Sequence, residues 1–552
     1  MKNLHFISFI FLLTITSISA QPGLDWVAQM SGDEIKAGYS TTLDSDGNLY
    51  VTGYFYGTVD FDPGTGVNEL TAPAGEKEIF VAKLDDAGNL LWVSDLGKGM
   101  GRSIVYDNGA VYVTGNYTYV AGGVLVSGIY MKKLDADTGN LVLEYYIVDE
   151  SGTGLSISVH NGDIYVAGYF YGSLDFDASS ANAYASSNGE SDIFILKLTA
   201  SGDFSWVKTM GGVMEDKAMA VDVDDDGVYV TGVFRDTVDF TPADTYTGTL
   251  IAPDDYDDIF VLHYNLNGDY QWLKQIGGNY NDIGSDILKQ GDAIYIGGYF
   301  IGECDFNPNA TNYILDASTS GYDAYILKLN LSGNLIWVKR FDGVEDAMLR
   351  TIALDNDNNV YATGYFKGTM IADPSGGTNH NLISNGGYDI FQLKLNGTDS
   401  ELDWAYSYGS SENDAAVSLS VTPDGASVYS TGYFNQTVDF DPDDSVAFEL
   451  LSTGEEDIFV QKLSLTSGAV NQDVVGAGWK VYPNPFSDNF EINLQDEKIK
   501  SIEITDFSGK RVYVNNQVNA NHFKVQGQYP TGLYFVKVTA TSATHIFKMI
   551  KK

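Results

Sequence analysis

The chain has 552 residues and a net charge of −43, with 74 Asp and Glu against 31 Lys and Arg. An excess of that sign argues against nucleic acid or anionic lipid as partners and suits cations, basic partners or plain solubility. The 37 Tyr, 28 Phe and 59 Gly favour strands and tight turns over helices.

The first segment, "MKNLHFISFIFLLTITSISA", places Lys2 before a short apolar run that ends in small residues at Ala20. It reads as a secretory signal peptide over 1–20, cleaved before Gln21. No Cys follows it, which argues against a lipoprotein anchor, and no later apolar run approaches the length of a membrane span. The single cysteine, Cys304, allows no intrachain disulfide and reads as a small buried hydrophobe.

From residue 21 to 466 one unit recurs. The strand written "LYVTGYF" at 49–55 returns six times, with its Tyr at 50, 112, 165, 229, 295, 361 and 429. Three residues on stands a glycine each time: Gly53, Gly115, Gly168, Gly232, Gly298, Gly364 and Gly432. Glycine at a fixed register predicts a neighbouring sheet that approaches too closely for a Cβ. A weaker strand precedes this one across an acidic turn. A strand of the "DIFILKL" type follows a longer loop, and a Gly turn leads on to a Trp strand such as "GNLIWV". The pattern predicts four strands per unit, A to D, and seven units arranged as the blades of a β-propeller. The seventh unit lacks a D strand of its own. "LDWVAQM" (24–30) is predicted to supply it beside 457–463 and so close the ring. The strands resemble bacterial SBBP-type repeats over residues 24–466, which implies a seven-bladed propeller and no shared chemistry.

Residues 479–552 turn basic, with ten Lys and Arg against six Asp and Glu, leaving −47 on the remainder. Short alternating strands with turns at Asn-Pro, Ser-Gly and Thr-Gly predict a small β-sandwich. The segment resembles the type A C-terminal sorting domain of the Bacteroidota type IX secretion system. The resemblance rests on Tyr482, Pro483, Asn484, Pro485, Phe486, Asp506, Gly509, Lys510, Gly532, Leu533, Tyr534, Lys551 and Lys552. It implies delivery by the type IX machinery to the cell surface or the extracellular space. Residues 467–478 read as a linker.

In an up-and-down sheet the D–A and B–C connections emerge on one face. The D–A acids are Asp33, Glu34, Asp149, Glu150, Glu215, Asp216, Asp282, Glu345, Asp346, Glu412 and Asp414; only the second unit breaks the series, with Gly101 and Arg102. A ring of carboxylates at one mouth predicts a Ca²⁺ site or a basic ligand. The alternative is that repeated acids solvate loops and cap turns. Asp222, Asp224, Asp226 and Gly227 imitate the start of an EF-hand, but Val233 stands where its Glu is required. No histidine pair has metal-ligand spacing, and no nucleophile elbow or phosphate-binding loop occurs. The expectation is a non-enzymatic surface protein that binds an unknown extracellular glycan or protein through its acidic face, with a secreted hydrolase or lyase as the alternative.

Overall fold

The computed structural model describes residues 22–465 apart from short loop segments (122–123, 149–150, 180, 242–247, 310, 318–320, 376–379 and 443–446), and most of 479–551. The signal segment 1–20, the linker 467–478, Asp149, Glu150, Pro483, Asn484, Pro485, Phe486, Gly509 and Lys552 lie outside the described residues. The chain divides into two compact units, one ending at Leu465 and the other beginning at Thr466. Both are built of β-strands. Among the described residues the one helical turn is the 3₁₀ segment Pro253–Asp255.

The third repeat shows the plan. Strands Gly152–His160 (A), Asp163–Phe170 (B), Asp192–Leu198 (C) and Phe204–Met210 (D) hydrogen-bond in that order, all antiparallel. The fourth, fifth and sixth repeats copy it. The seventh supplies A, B and C as Ala415–Val421, Ser427–Phe434 and Asp457–Ser464. Its fourth strand is Gly23–Gly32, which pairs with Asp457–Ser464 from Gly23 opposite Ser464 to Met30 opposite Ile458. The first two repeats depart from the plan. Strand Leu90–Asp107 runs without a loop from the D position of the first into the A position of the second. In the second repeat, B and C extend into one long hairpin, Ala110–Ala121 with Val124–Asp135, in place of a B–C loop.

Each A strand carries a β-bulge opposite the recurrent B-strand glycine. The extra residues are Tyr39, Arg102, Leu155, Met219, Ser285, Arg350 and Val417. The bulge swings one A-strand carbonyl toward strand B. A Cβ on Gly53 would lie 2.0 Å from the Ala37 carbonyl oxygen, and one on Gly432 would lie 1.8 Å from that of Ala415. The glycine register therefore answers to the adjacent strand of the same sheet, not to a neighbouring sheet as the sequence pattern led us to expect.

Consecutive A strands lie side by side, and Ala415–Val421 lies against Lys36–Leu43 as well as against Asp346–Leu354. Side chains just past the bulge stitch them together. Ser40 accepts from the Ile104 N–H at 3.1 Å, Ser103 from Ile157 at 3.2 Å and Ser156 from Val221 at 3.1 Å. Ser418 accepts from Thr41 N–H at 3.1 Å, across 377 residues of chain.

A second set of contacts runs around the tight-turn face. The repeated Tyr packs under the cation of strand C, as Lys328 over Tyr295 at 4.7 Å and Lys83 over Tyr50 at 4.9 Å. In the fourth repeat, His263 stacks on Tyr229 instead, at 4.3 Å. Trp92, Trp206, Trp337 and Trp404 of the D strands pack on that Tyr and Trp272 packs on His263, and three of the five meet the left-handed glycine of the next C–D turn. Trp92 has Gly139, Trp206 has Gly268 and Trp272 has Gly333. Trp26 sits 6.1 Å from Tyr429, lies against Gly88 and donates its indole N–H to the Asp86 carbonyl at 2.9 Å. It occupies the D-strand Trp position of the seventh sheet.

The second unit has two sheets, one of Trp479–Tyr482, Asn489–Leu494 and His522–Gln526, the other of Arg511–Asn515, Ile499–Asp506, Gly532–Ala540 and Thr544–Lys551. Phe490, Ile492 and Val525 from the first share a buried cluster with Ile502, Ile504, Tyr534 and Val536 from the second. Asp506 pairs with Tyr534 and Gly532 with Lys551, so these four motif residues lie in neighbouring strands.

A cross-link tests the pairing of the outermost strands. Gly23 is exposed with free space at its Cβ position, and its Cα partner is Ser464. The double variant Gly23→Cys/Ser464→Cys is expected to form a disulfide on oxidation and to raise the melting temperature. A free-thiol assay and thermal melts with and without reductant would check it.

Candidate functional site

The face carrying the D–A and B–C connections is where the sequence concentrates its acids, and the structure sorts them into three groups. The first caps loops. In the phrase "VDFDP" the Asp60 carboxylate accepts from the backbone N–H of Asp62 at 3.0 Å and Asn68 at 2.9 Å. Asp175, Asp305 and Asp439 repeat the arrangement. The adjoining Phe61, Phe176, Phe306 and Phe440 are buried and pack on the B- and C-strand rings. Cys304, in the Val position of this phrase, is fully buried. Two of the short hairpins so formed add to a D strand, Asp60 and Val59 pairing with Ser31 and Gly32 and Asp305 and Cys304 with Gly277 and Gly278. Those of Asp175 and Asp439 stand as separate two-stranded sheets.

The second group is exposed or half-exposed. Asp33, Glu34 and Glu412 face solvent. Glu345 is exposed and pairs with Lys367 at 3.2 Å. Glu215 pairs with Lys217 at 2.6 Å and accepts from the Tyr171 hydroxyl. Asp346 accepts from the Tyr388 hydroxyl at 2.7 Å.

The third group is sealed between repeats. Asp216, Asp282 and Asp414, at the start of their A strands, are fully buried. Asp216 accepts from Gly212 and Arg235 N–H, and Asp414 from Ser410 and Asn435 N–H. Beside them stand acids outside the D–A connections: Glu78, Asp192, Asp258, Asp323, Asp389 and Asp457, each at the start of a C strand and each buried. The signal was present in the leading Asp of "DIFILKL", which recurs as faithfully as the Tyr and Gly. Glycines of the D-strand ends cover several of them. A Cβ on Gly211, Gly277 or Gly409 would collide with the carboxyl of Asp192, Asp258 or Asp389.

Burial pushes these carboxyls up, to about 6 for Asp192 and Asp414 and about 7 for Asp216, Asp258, Asp323 and Asp389. Asp282 lies well above the carboxylate range, through burial and then the nearby Asp258. Like charges therefore meet at three junctions: Asp192 with Asp216, Asp258 with Asp282, and Asp389 with Asp414. At the junction between the seventh and first repeats the pattern inverts. Lys36 occupies the A-strand position and donates to Asp457 at 2.5 Å, with both side chains 0% exposed. Its ammonium also donates to the carbonyls of Gly32, Glu34 and Glu456.

The nine D–A acids among the described residues thus do not converge. Among the described residues no three His, Cys, Asp or Glu side chains gather in an arrangement able to hold a metal ion. In the EF-hand look-alike, Asp226 pairs with Lys289 at 2.5 Å, Asp224 pairs with the same ammonium, and Asp222 accepts the Lys289 N–H. That segment is a turn held by a lysine. What the face does offer is tyrosine. Tyr54, Tyr169, Tyr299, Tyr365 and Tyr433 follow the B-strand glycines and remain half-buried. Tyr54 stacks on Tyr39 and Tyr365 packs edge-on to Tyr388.

Residues 480–552 match the family described as a secretion system C-terminal sorting domain. That match supports export to the cell surface or the extracellular space. An uncharacterized WD repeat-containing protein of Acanthamoeba polyphaga mimivirus is 24% identical over 76% of this chain and 36% of its own length. The regulatory protein FlaEY of Caulobacter vibrioides is 23% identical over 70% of this chain and 41% of its own. The chain therefore spans about two fifths of the curated relatives it matches. Among solved structures, the WD40 β-propeller domain of Doa1 superposes with a TM-score of 0.37 at 10% identity, covering 81% of this chain and 98% of that one.

Two outcomes are expected. Lys36→Met leaves Asp457 buried without its counter-charge and should cost about 3–5 kcal/mol in denaturant unfolding, while Lys36→Met/Asp457→Asn should cost less than Lys36→Met alone. The junction carboxyls have folded pKa values above their unfolded ones. Their contribution is therefore full below about pH 4 and is lost as pH rises through 6 to 7. Melting temperature should fall from pH 5 to pH 8, and Asp258→Asn or Asp389→Asn should flatten that fall.

Proposed function

We propose that the chain is an exported seven-bladed β-propeller that binds an extracellular glycan or protein through its D–A and B–C face and performs no catalysis. The ring reading is supported by Trp26 on Tyr429, by Ser418 joined to Thr41, and by the seventh C strand completed with Gly23–Gly32. In this reading the two sheets of residues 479–551 form a sandwich that the type IX machinery recognises, residues 1–20 are the signal peptide, and the propeller is the cargo of a Bacteroidota-type surface pathway.

One observation carries the binding reading. The junction carboxyls raised toward neutrality, which a hydrolase or lyase would need, are sealed at 0–2% exposure. Of the others raised as far, Glu78 is buried, and Asp222 and Asp286 are already bonded to backbone N–H groups. The accessible part of the face consists of hairpins, half-buried tyrosines and acids already held by lysines or hydroxyls. Groups closed to solvent serve packing, whereas variable loops on a rigid frame serve recognition.

A chain truncated after residue 466 is expected to be absent from the cell surface and medium while remaining folded inside the cell, checked by fractionation. The full chain is expected to bind discrete members of a glycan array and to release no product from them, and chelator should leave binding unchanged. Turnover of any bound glycan would sink the reading.

A further inference from the structure

The overall charge of the chain points away from anions, yet one spot on the central strands is unmistakably cationic. The first 478 residues contain four arginines: Arg102, Arg235, Arg340 and Arg350. Arg235 pairs with Asp257 and Arg340 with Asp342. The other two are bulge residues of the innermost strands, and among the described residues neither forms an ion pair. This is unusual in a chain so rich in carboxylates.

Arg102 is not alone. Its guanidinium lies 4.8 Å over the Tyr39 ring and reaches the Met100 sulfur at 3.7 Å. Lys77, at the end of the B–C loop of the first repeat, reaches the same sulfur at 3.0 Å and lies 5.5 Å over the Tyr54 ring. Two cations thus meet at one thioether, with aromatic faces beneath them, and among the described residues no carboxylate is bonded to either, although Glu456 lies near enough to the Tyr54 ring to act on it. Burial and then the Arg102 charge lower the Lys77 pKa. The sequence places this pair at the one junction where the D–A acids give way to Gly101 and Arg102 and where the D strand runs straight into A. The Nε of Arg102 is buried without a hydrogen-bond partner. Tyr39 and Tyr54 stack on one another at 5.7 Å and present a half-buried aromatic surface beside the cations.

Converging cations of this kind favour an anion that bridges them, because an anion replaces their repulsion with two charge-assisted hydrogen bonds. Tyrosine faces add a platform for the C–H face of a sugar ring. We propose that Lys77 and Arg102, with Tyr39 and Tyr54, form a subsite for a carboxylate-bearing sugar, a uronic acid unit of an extracellular glycan. This rests on the binding reading above and narrows it to acidic glycans.

The test uses the full chain, tri-galacturonate and the neutral trisaccharide of galactose, with titration calorimetry as the readout. The uronate is expected to bind at least tenfold more tightly than the neutral sugar. Arg102→Gln and Lys77→Gln should each remove tenfold or more of that affinity, with thermal melts reporting that each variant is folded. Acylation of Lys77, followed by mass spectrometry, should be slowed by the uronate and not by the neutral sugar, a readout that needs no variant. Equal affinity for the two sugars, or variants that bind as the parent does, would overturn the subsite and leave the binding face standing. Absence of any binding by tri-galacturonate would also overturn it, and the glycan array decides separately whether the face binds sugars at all.

Discussion

Strand Gly23–Gly32 lies beside strand Asp457–Ser464, more than four hundred residues away in sequence, and the arrangement of the other repeats depends on that pairing. In each of the other sheets a turn leads from strand C into strand D. Here no turn joins the two strands, and the opposite-charge pair Lys36–Asp457 stands beside that seam in the position where acids meet at three other junctions. A buried ion pair adds modest net stability, but it penalises misalignment heavily, because a strand slipped by one residue strands a charge in a dry junction. The three acid pairs carry no such information and have no need to. Their strands are already registered by the chain.

The two faces of the repeats divide their labour by this logic. On the tight-turn face, Tyr, the C-strand cation and the D-strand Trp form contacts that recur from sheet to sheet, and Trp26 on Tyr429 carries them across the non-covalent seam. They are architecture, and their residues answer to one another. On the opposite face the repeats diverge: the hairpins vary in length, the D–A acids come and go, and the bulge residues run from Val to Arg.

The strands, their order and the placing of Gly23–Gly32 were legible from periodicity, because a repeat reports each element several times over. Two things were misjudged, for different reasons. The glycine register was referred to a neighbouring sheet, when a bulge in the adjacent strand turns the Ala37 carbonyl onto Gly53. A bulge changes pairing without leaving a residue signature, as its positions are filled by Tyr, Arg, Leu, Met, Ser and Val alike. The D–A acids were read as one open ring, when burial divides them. Exposed Glu34 and sealed Asp216 look equivalent in a string of letters, and only the packing of the preceding C strand, with its own Asp192, separates them. Local pattern specified each strand well, while the fate of its charges depended on the sheet next door.

The continuity of Leu90–Asp107 also bears on how the repeats assemble. A single strand shared by two sheets ties the first and second repeats into one seven-stranded sheet near the beginning of the chain. Strand Gly23–Gly32, which precedes that sheet, keeps an unpaired edge until Asp457–Ser464 has been synthesised. Such an unpaired edge invites pairing with the wrong strand. The acidic and polar residues along Gly23–Gly32, Asp25 and Gln29 among them, guard it during that interval.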